Sequence, residues 1–235
     1  MNKILKVCVV VPAYNESAVI QAVIKKAIKA FGKSPHSISI VVVDDGSKDN
    51  TSSEAKKGGA KVIKHILNSG AGGATATGLR YAEKNDFDIA ATMDADGQHA
   101  PEDILKGIDY IVNTKADLVI GSRLIDSSGM SRVKVLGNWG LSFITYLLFG
   151  INSTDSQSGL RLFSRKALEN LHWETNGYEF CSEMLWRAKQ QKLVIDEYPI
   201  KAIYTDYSKG KGQNNWNAIN IIKSLFKRRL SEFLR

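Results

Sequence analysis

The 235-residue sequence predicts an α/β fold, a mostly parallel central sheet with helices on both faces. Three observations predict it. Short Val/Ile-rich runs alternate with segments of helical periodicity through the first half of the chain. The polar, glycine-rich stretches fall just after those runs, where connections leave a sheet. No linker rich in Pro, Gly or Ser interrupts the alternation, and the length suits one substantial core.

Each element has its own signal. VCVVV (7–11) is a continuous apolar run of strand length, as expected of a strand covered on both faces. Residues 16–31 repeat apolar side chains at helical spacing. SISIVVV (37–43) is the second strand, and Ser, Asp and Asn residues cap a helix from about Asn50. KVIKH (61–65) is the third strand, followed by a helix near 73–84 and by FDIAATM (87–93). A helix over 101–113 has Pro101 in its first turn, where a missing N–H breaks no helical bond. DLVIG (117–121) is a fifth strand. The second half is less regular: an amphipathic helix over 131–149, a short strand in SGLRLFS (158–164), a helix over 178–192, and an extended stretch over 193–204 broken at Pro199.

In such sheets, ligands bind outside the carboxyl ends of the strands. The segments expected at those ends are PAYNE, DDGSKDNT, NSGAGGAT, DADGQH and GSR, so all five should line one edge.

Composition narrows the classes. With 43% hydrophobic and 24% charged residues and no repeat, the chain is not a disordered one. Cys8 and Cys181 are too few for a disulfide framework and are expected as free thiols in a reducing cytosol. The run 7–11 is cut short by Pro12, Asn15 and Glu16, so it does not read as a secretory signal. The longest other apolar run, 141–149, falls below the roughly 20 residues of a membrane-crossing helix. The expected location is cytoplasmic, at most against the inner membrane face. A net charge of +8 favours a polyanionic partner, but no nucleic-acid reading motif is present and none is expected. From Trp216 onward, Lys223, Lys227, Arg228, Arg229 and Arg235 accompany apolar residues at three- and four-residue steps. Residues 1–213 are therefore expected as the catalytic domain. Residues 214–235 are expected as a basic amphipathic helix, packed on that domain or lying in a lipid interface.

Three motifs carry chemistry. NSGAGGATATGLR (68–80) sets Gly70, Gly72 and Gly73 before a helix. A dinucleotide fingerprint would instead follow the first strand, with its acidic residue on the next. Nicotinamide and flavin binding are thereby disfavoured, and a tight turn bringing backbone close to a substrate at Gly70 is expected. VVVDDGSKDNT (41–51) ends a strand in adjacent carboxylates whose side chains point in opposite directions. One of Asp44 and Asp45 is suited to accept hydrogen bonds from a nucleobase or ribose, the other to cap the turn. In AATMDADGQHAPED (90–103), Asp94, Asp96 and Gln98 present oxygen atoms suited to Mg²⁺ or Mn²⁺. His99 has no partner at zinc-ligand spacing.

Taken together, VVPAYNE, VVVDDGSKDNT, the N-x-G stretch, DADGQH and GSR resemble glycosyltransferase family 2 in order and spacing. DSQSGLRLFSR (155–165), YEFCSEM (178–184) and YTDYSKGKGQ (204–213) are similar to its dolichol-phosphate mannosyltransferase group and bacterial polyprenyl-phosphate relatives. The resemblance implies a GT-A fold and inverting transfer from a GDP- or UDP-activated hexose. It also implies that Pro12, Tyr14, Glu16 and Asp44 hold the nucleoside, with Asp45, Gly70 and Asp94 in the same donor set. Asp94, Asp96 and Gln98 would hold the metal on the diphosphate, with Asp96 counted among the catalytic residues. Arg123, Arg132, Ser208 and Lys209 would handle acceptor or donor phosphates. Asp155 and Glu183 would stand near the acceptor.

A polyprenyl phosphate acceptor is already anionic and needs little base; a hydroxyl acceptor needs a carboxylate such as Asp155 or Glu183 to take its proton. The resemblance favours the lipid phosphate. A saccharide or protein hydroxyl acceptor, and a non-catalytic sugar-nucleotide or lipid binding module, are the competing readings. Several members of the group carry transmembrane helices after the catalytic domain and this sequence has none. A lipid acceptor therefore implies peripheral docking, through 131–149 and the basic tail.

Overall fold

The computed structural model describes residues 3–204 together with 207, 223 and 225. The chain runs β1 (Lys6–Ala13), α1 (Ile20–Phe31), β2 (Ser37–Asp44), α2 (Thr51–Gly58), β3 (Lys61–Lys64), α3 (Ala71–Lys84), β4 (Ile89–Thr92), α4 (Pro101–Thr114) and β5 (Leu118–Ser122). It continues through α5 (Arg132–Phe149), β6 (Arg161–Ser164), α6 (Arg165–Asn170), α7 (Phe180–Gln190) and β7 (Ile195–Pro199). The seven strands lie in the order β3-β2-β1-β4-β6-β5-β7. All neighbouring pairs are parallel except those of β6, which runs antiparallel to both β4 and β5.

Alternation along β1 explains the two-layered covering. Val7, Val9 and Val11 join the core on one face with Ile20 and Ile24 of α1 and Ile104 and Ile108 of α4. Cys8 and Val10 join the other with Ala74 and Leu79 of α3, Phe163 of β6, and Met184 and Leu185 of α7. Gly78 lets α3 approach the sheet, since a Cβ there would lie 2.1 Å from Val10 Cγ1. Burial on both faces is why the strands read as unbroken apolar runs.

Most boundaries fall close to expectation, and the differences have local causes. The helix expected from 16 begins at Ile20; residues 16–19 form a turn in which the Val19 and Ile20 N–H groups donate to Glu16 O. That turn keeps Glu16 at the edge of the sheet. The short helix α6 was not expected; the Ser164 hydroxyl at the end of β6 caps it by accepting from Ala167 N. The short strand expected over 158–164 is confined to Arg161–Ser164, because 155–158 form a tight loop closed by Ser158 N donating to Asp155 O. α5 starts at the Ser131 cap and stops at Gly150 in the left-handed region, φ 64°. Among the described residues no helix is long and apolar enough to cross a membrane.

Of the expected tail helix only two residues are described. Leu225 is buried in the second core and Lys223 is exposed. Ser208 and Lys209 lie outside the described residues.

Candidate active site

The carboxyl end of β1 delivers Pro12, Tyr14 and Glu16 to the expected edge, where Tyr14 is exposed and the other two are half-buried. Asn15, at φ 55°, turns the chain. Its N–H donates to Ser47 Oγ (2.9 Å), and its own Oδ1 accepts from Lys48 N (2.9 Å). Glu16 N donates to Thr51 Oγ1 (2.8 Å) and Ser17 N to Asp49 Oδ2 (3.1 Å). The loop after β1 is thus stitched to the turn after β2. The Tyr207 hydroxyl donates to Glu16 Oε2 at 2.8 Å.

Asp44 and Asp45 diverge as a strand end requires, and both are buried. Asp44 Oδ1 accepts from Ser47 N (2.8 Å), Oδ2 accepts from the Ser52 hydroxyl, and Lys64 Nζ lies 3.9 Å away. Asp45 faces the glycine stretch. It accepts from Ser69 N (2.8 Å), Ser69 Oγ (2.7 Å) and Gly70 N (2.7 Å), with His65 Nδ1 at 2.7 Å. Burial works to raise its pKa, but these hydrogen bonds outweigh it and hold the carboxyl below its usual range.

The glycines approach protein rather than open space. A Cβ on Gly70 would lie 2.4 Å from Asn176 O, and one on Gly72 2.5 Å from Thr175 O. Gly72 N donates to Asn176 O (2.8 Å), and Trp173 Nε1 donates to Gly72 O (3.2 Å). Gly70 N is bonded to Asp45, and the stretch is the seat of the 173–177 loop.

Asp94 and Asp96 follow β4 and are partly exposed, whereas Ala95 between them is buried in the core. Asp94 is held from two sides. Its N–H donates to the Nδ1 of buried His99 (3.2 Å), whose Nε2 lies 3.6 Å from Asp94 Oδ2. On the other side its carboxylate lies over Gly159, where a Cβ would sit 2.4 Å from Oδ1. Gln98 N donates to Asp96 Oδ1 (3.0 Å), and the Gln98 side-chain amide donates to Asp96 Oδ2. Gln98 Nε2 thus ties its side chain to Asp96, and its Oε1 takes no part in that bond. Two outward carboxylates of this kind fit a hard divalent ion that takes its remaining oxygens from a diphosphate. Among the described residues no group of three or more His, Cys, Asp or Glu is disposed as a metal site, so a self-sufficient protein cage is not what these residues form.

Beside this pair, Arg123 follows β5. It forms a fork with buried Asp155, Nε to Oδ2 at 2.7 Å and Nη2 to Oδ1 at 2.9 Å, and its backbone N–H donates to Oδ2 at 3.1 Å. Burial opposes the Arg123 cation, but Asp155 outweighs it and holds the guanidinium above its ordinary range, with Asp94 and Tyr204 contributing. Glu183, in the first turn of α7, is equally committed. It accepts from Thr175 Oγ1 (2.6 Å), Thr175 N (2.9 Å) and Glu174 N (3.2 Å), with Arg187 Nε at 3.4 Å. Both carboxylates considered as bases are thus engaged in holding loops. Arg132 is exposed at the start of α5.

Sequence reasoning missed several residues here. His99 was passed over as a neighbour, and Gly159 carried no signal beyond its place in the 155–165 motif. Tyr178 is half-exposed; burial, then the negative charge of Asp94, with Asp96 and Glu16 adding to it, raises its phenol pKa. Tyr204 lies under Lys134 Nζ, 4.0 Å from the ring centroid, and Ile203 N donates to Gln98 O (3.3 Å). The segment after β7 therefore crosses the same edge.

The pattern described as glycosyl transferase family 2 matches residues 8–172. The chain belongs to glycosyltransferase family 2. A UDP-N-acetylglucosamine–dolichyl-phosphate N-acetylglucosaminyltransferase of Methanococcus voltae is 45% identical over 227 residues, covering 87% of this chain and 88% of that protein. An undecaprenyl-phosphate mannosyltransferase of Micrococcus luteus is 29% identical over 220 residues, covering 88% and 87%. Glucosyl-3-phosphoglycerate synthase of Mycobacterium tuberculosis superposes with a TM-score of 0.70 at 21% identity, over 97% of this chain and 80% of that one. A form of the same synthase solved with Mg²⁺ and UDP superposes with a TM-score of 0.67 at 22% identity, over 94% and 79%. The fold of this family 2 chain is GT-A, and it is a glycosyltransferase.

Proposed function

We propose that this glycosyltransferase moves a sugar from a nucleotide-sugar donor to a polyprenyl or dolichyl phosphate, with inversion at the anomeric carbon and with Mg²⁺ or Mn²⁺ bound. The observation that carries the reading is the engagement of Asp155 and Glu183. A hydroxyl acceptor needs a carboxylate to take its proton, and the two candidates are bonded to Arg123 and to the 174–175 loop. A phosphate acceptor arrives deprotonated and needs a cation instead. Arg123 supplies one: its pair with Asp155 uses Nε and Nη2, and Nη1 lies outside the pair.

In the transfer, an acceptor phosphate oxygen forms a bond to the anomeric carbon as the bond to the donor diphosphate breaks. Asp94 and Asp96 would hold the metal, which when bound offsets the charge gathering on the departing diphosphate. His99 and the bare backbone of Gly159 fix the Asp94 carboxylate. Pro12, Tyr14, Glu16 and Asp44 would receive the nucleoside, Asp44 with its carboxylate already oriented by Ser47 and Ser52. Arg123, fixed by Asp155, would face the acceptor phosphate, with Arg132 at the head of α5 drawing it in. The neighbour solved with Mg²⁺ and UDP supports the metal and nucleotide parts of this reading.

Lipid access is supported by α5. Val133, Leu136, Trp139, Phe143, Tyr146 and Leu147 are all exposed on it, at steps that place them on one side of the helix. Trp139 and Phe143 stack at 5.5 Å with their rings 5° apart. Arg132 and Lys134 flank this face at the end nearer Arg123. A face of that kind suits a peripheral seat on an anionic membrane.

The Methanococcus voltae relative makes UDP-N-acetylglucosamine the first donor to test, ahead of GDP-mannose and UDP-glucose. The test is incubation of radiolabelled donors with short-chain polyprenyl phosphate and Mn²⁺ or Mg²⁺. A lipid-linked, acid-labile product with one donor is expected; no product with any of them would overturn the acceptor assignment.

A further inference from the structure

We propose that His65 is a positioning residue for the transfer reaction. Acting through Asp45, it fixes the glycine stretch and thereby the seat of the 173–177 loop, which leads directly into Tyr178 and α7. None of the roles given above uses His65.

The geometry forms a continuous chain of contacts. His65 stands directly after β3, and its N–H donates to Asp44 O (2.8 Å). Its Nδ1 lies 2.7 Å from Asp45 Oδ1, and because that carboxylate is ionised the proton between them sits on Nδ1. Its Nε2 is then an acceptor, and it meets the Thr77 hydroxyl of α3 at 3.0 Å, which donates to it. One imidazole therefore ties the Ser69–Gly70 end of the glycine stretch, through Asp45, to Thr77 of α3. That stretch receives the 173–177 loop through Gly72 N to Asn176 O, Trp173 Nε1 to Gly72 O, and the contact of Gly70 with Asn176. Glu183 holds the far side of the same loop through Thr175. Tyr178 is the next residue after that loop and Glu183 lies in the first turn of α7 beyond it, so a shift of the seat displaces both.

The imidazole supplies a geometry that two amides reproduce separately. An Asn side-chain nitrogen falls near Nδ1 and a Gln nitrogen near Nε2, so His65→Asn keeps the Asp45 bond and His65→Gln loses it. The full chain is used, with Trp173 emission isolated from the other three tryptophans by subtracting matched Trp173→Phe variants. His65→Gln is expected to shift Trp173 emission to the red and to lower kcat about 10- to 100-fold, the scale of a misplacement near one ångström. The donor KM should change less than about threefold, since the side chains proposed above to receive the nucleoside, Pro12, Tyr14, Glu16 and Asp44, keep their contacts. His65→Asn should keep the emission and most of the turnover. Unchanged emission and kcat in His65→Gln, or an equal loss in His65→Asn, would overturn the proposal. Should His65→Gln fail to unfold cooperatively, Thr77→Val replaces it: a smaller red shift in Trp173 supports the proposal, and none counts against it. The turnover arm alone rests on the proposed function. A wild-type chain inactive on polyprenyl phosphate would defeat that function, while Trp173 emission would still decide for or against His65.

Discussion

Gly159 and Asp155 show how single side chains set this site. A Cβ at 159 would lie 2.4 and 2.8 Å from the Asp94 oxygens, so Gly159→Ala must push that carboxylate aside. We expect Mn²⁺ affinity, read by calorimetry or electron paramagnetic resonance, to fall about tenfold or more; wild-type affinity in the variant would contradict the role given to Asp94. Asp155→Asn removes one partner of a buried pair and should cost about 3–5 kcal/mol of stability. Turnover should fall with it, with no loss of an acid limb in the pH–rate profile. A stable variant lacking that limb would instead mark Asp155 as a base. Neither role was legible in the residues alone. DSQSG announces an acid and a glycine, but not that the acid meets Arg123, 32 residues earlier, or that the glycine lies under Asp94. Asp94 and Asp96 were legible because a strand end followed by D-x-D needs no distant partner to present oxygen atoms. Gln98 reads as an oxygen ligand for the same reason, and its side-chain bond to Asp96 is what the sequence does not show.

At the level of elements, loops bear most of the tension between reading and structure. The stitch between 15–17 and 47–51 depends on Asp49, whose pKa is brought down to about 2; burial opposes this, but hydrogen bonds from Thr51 and Ser17 outweigh it. Its folded value lies below the unfolded one, so its stabilising effect is complete above about pH 3.9 and is lost as the pH falls toward 2. Asp49→Asn should therefore flatten the dependence of Tm on pH between about 4 and 2, while leaving the neutral side unaltered in slope; an unchanged acid profile would contradict the stitch. On α5, Trp139→Ser with Phe143→Ser should weaken co-sedimentation with anionic vesicles about tenfold or more. Retained binding would assign that face to something other than lipid. The strands were legible because two-sided burial writes itself as Val/Ile runs. The partner of the glycine stretch was not legible, because close approach of backbone looks the same in sequence whether a substrate or the 173–177 loop packs against it.

For the whole molecule, the alternation of strands and helices announced the sheet, and the five polar segments met at its carboxyl edge as expected. The antiparallel β6 was not announced. Its four residues enter between β4 and β5 only because the 150–160 loop returns from that edge, a path set by Asp155 and Ser158 and not by any local propensity. This loop anchors both Asp94, through Gly159, and Arg123, through Asp155, the residues proposed to hold the metal and to meet the acceptor phosphate. The acceptor assignment is tested most directly by offering one radiolabelled donor, with Mn²⁺, to a polyprenyl phosphate and to the matching polyprenol. The account predicts sugar transfer to the phosphate and none above background to the alcohol. Equal transfer to polyprenol, or transfer to a saccharide hydroxyl in place of the lipid phosphate, would contradict it.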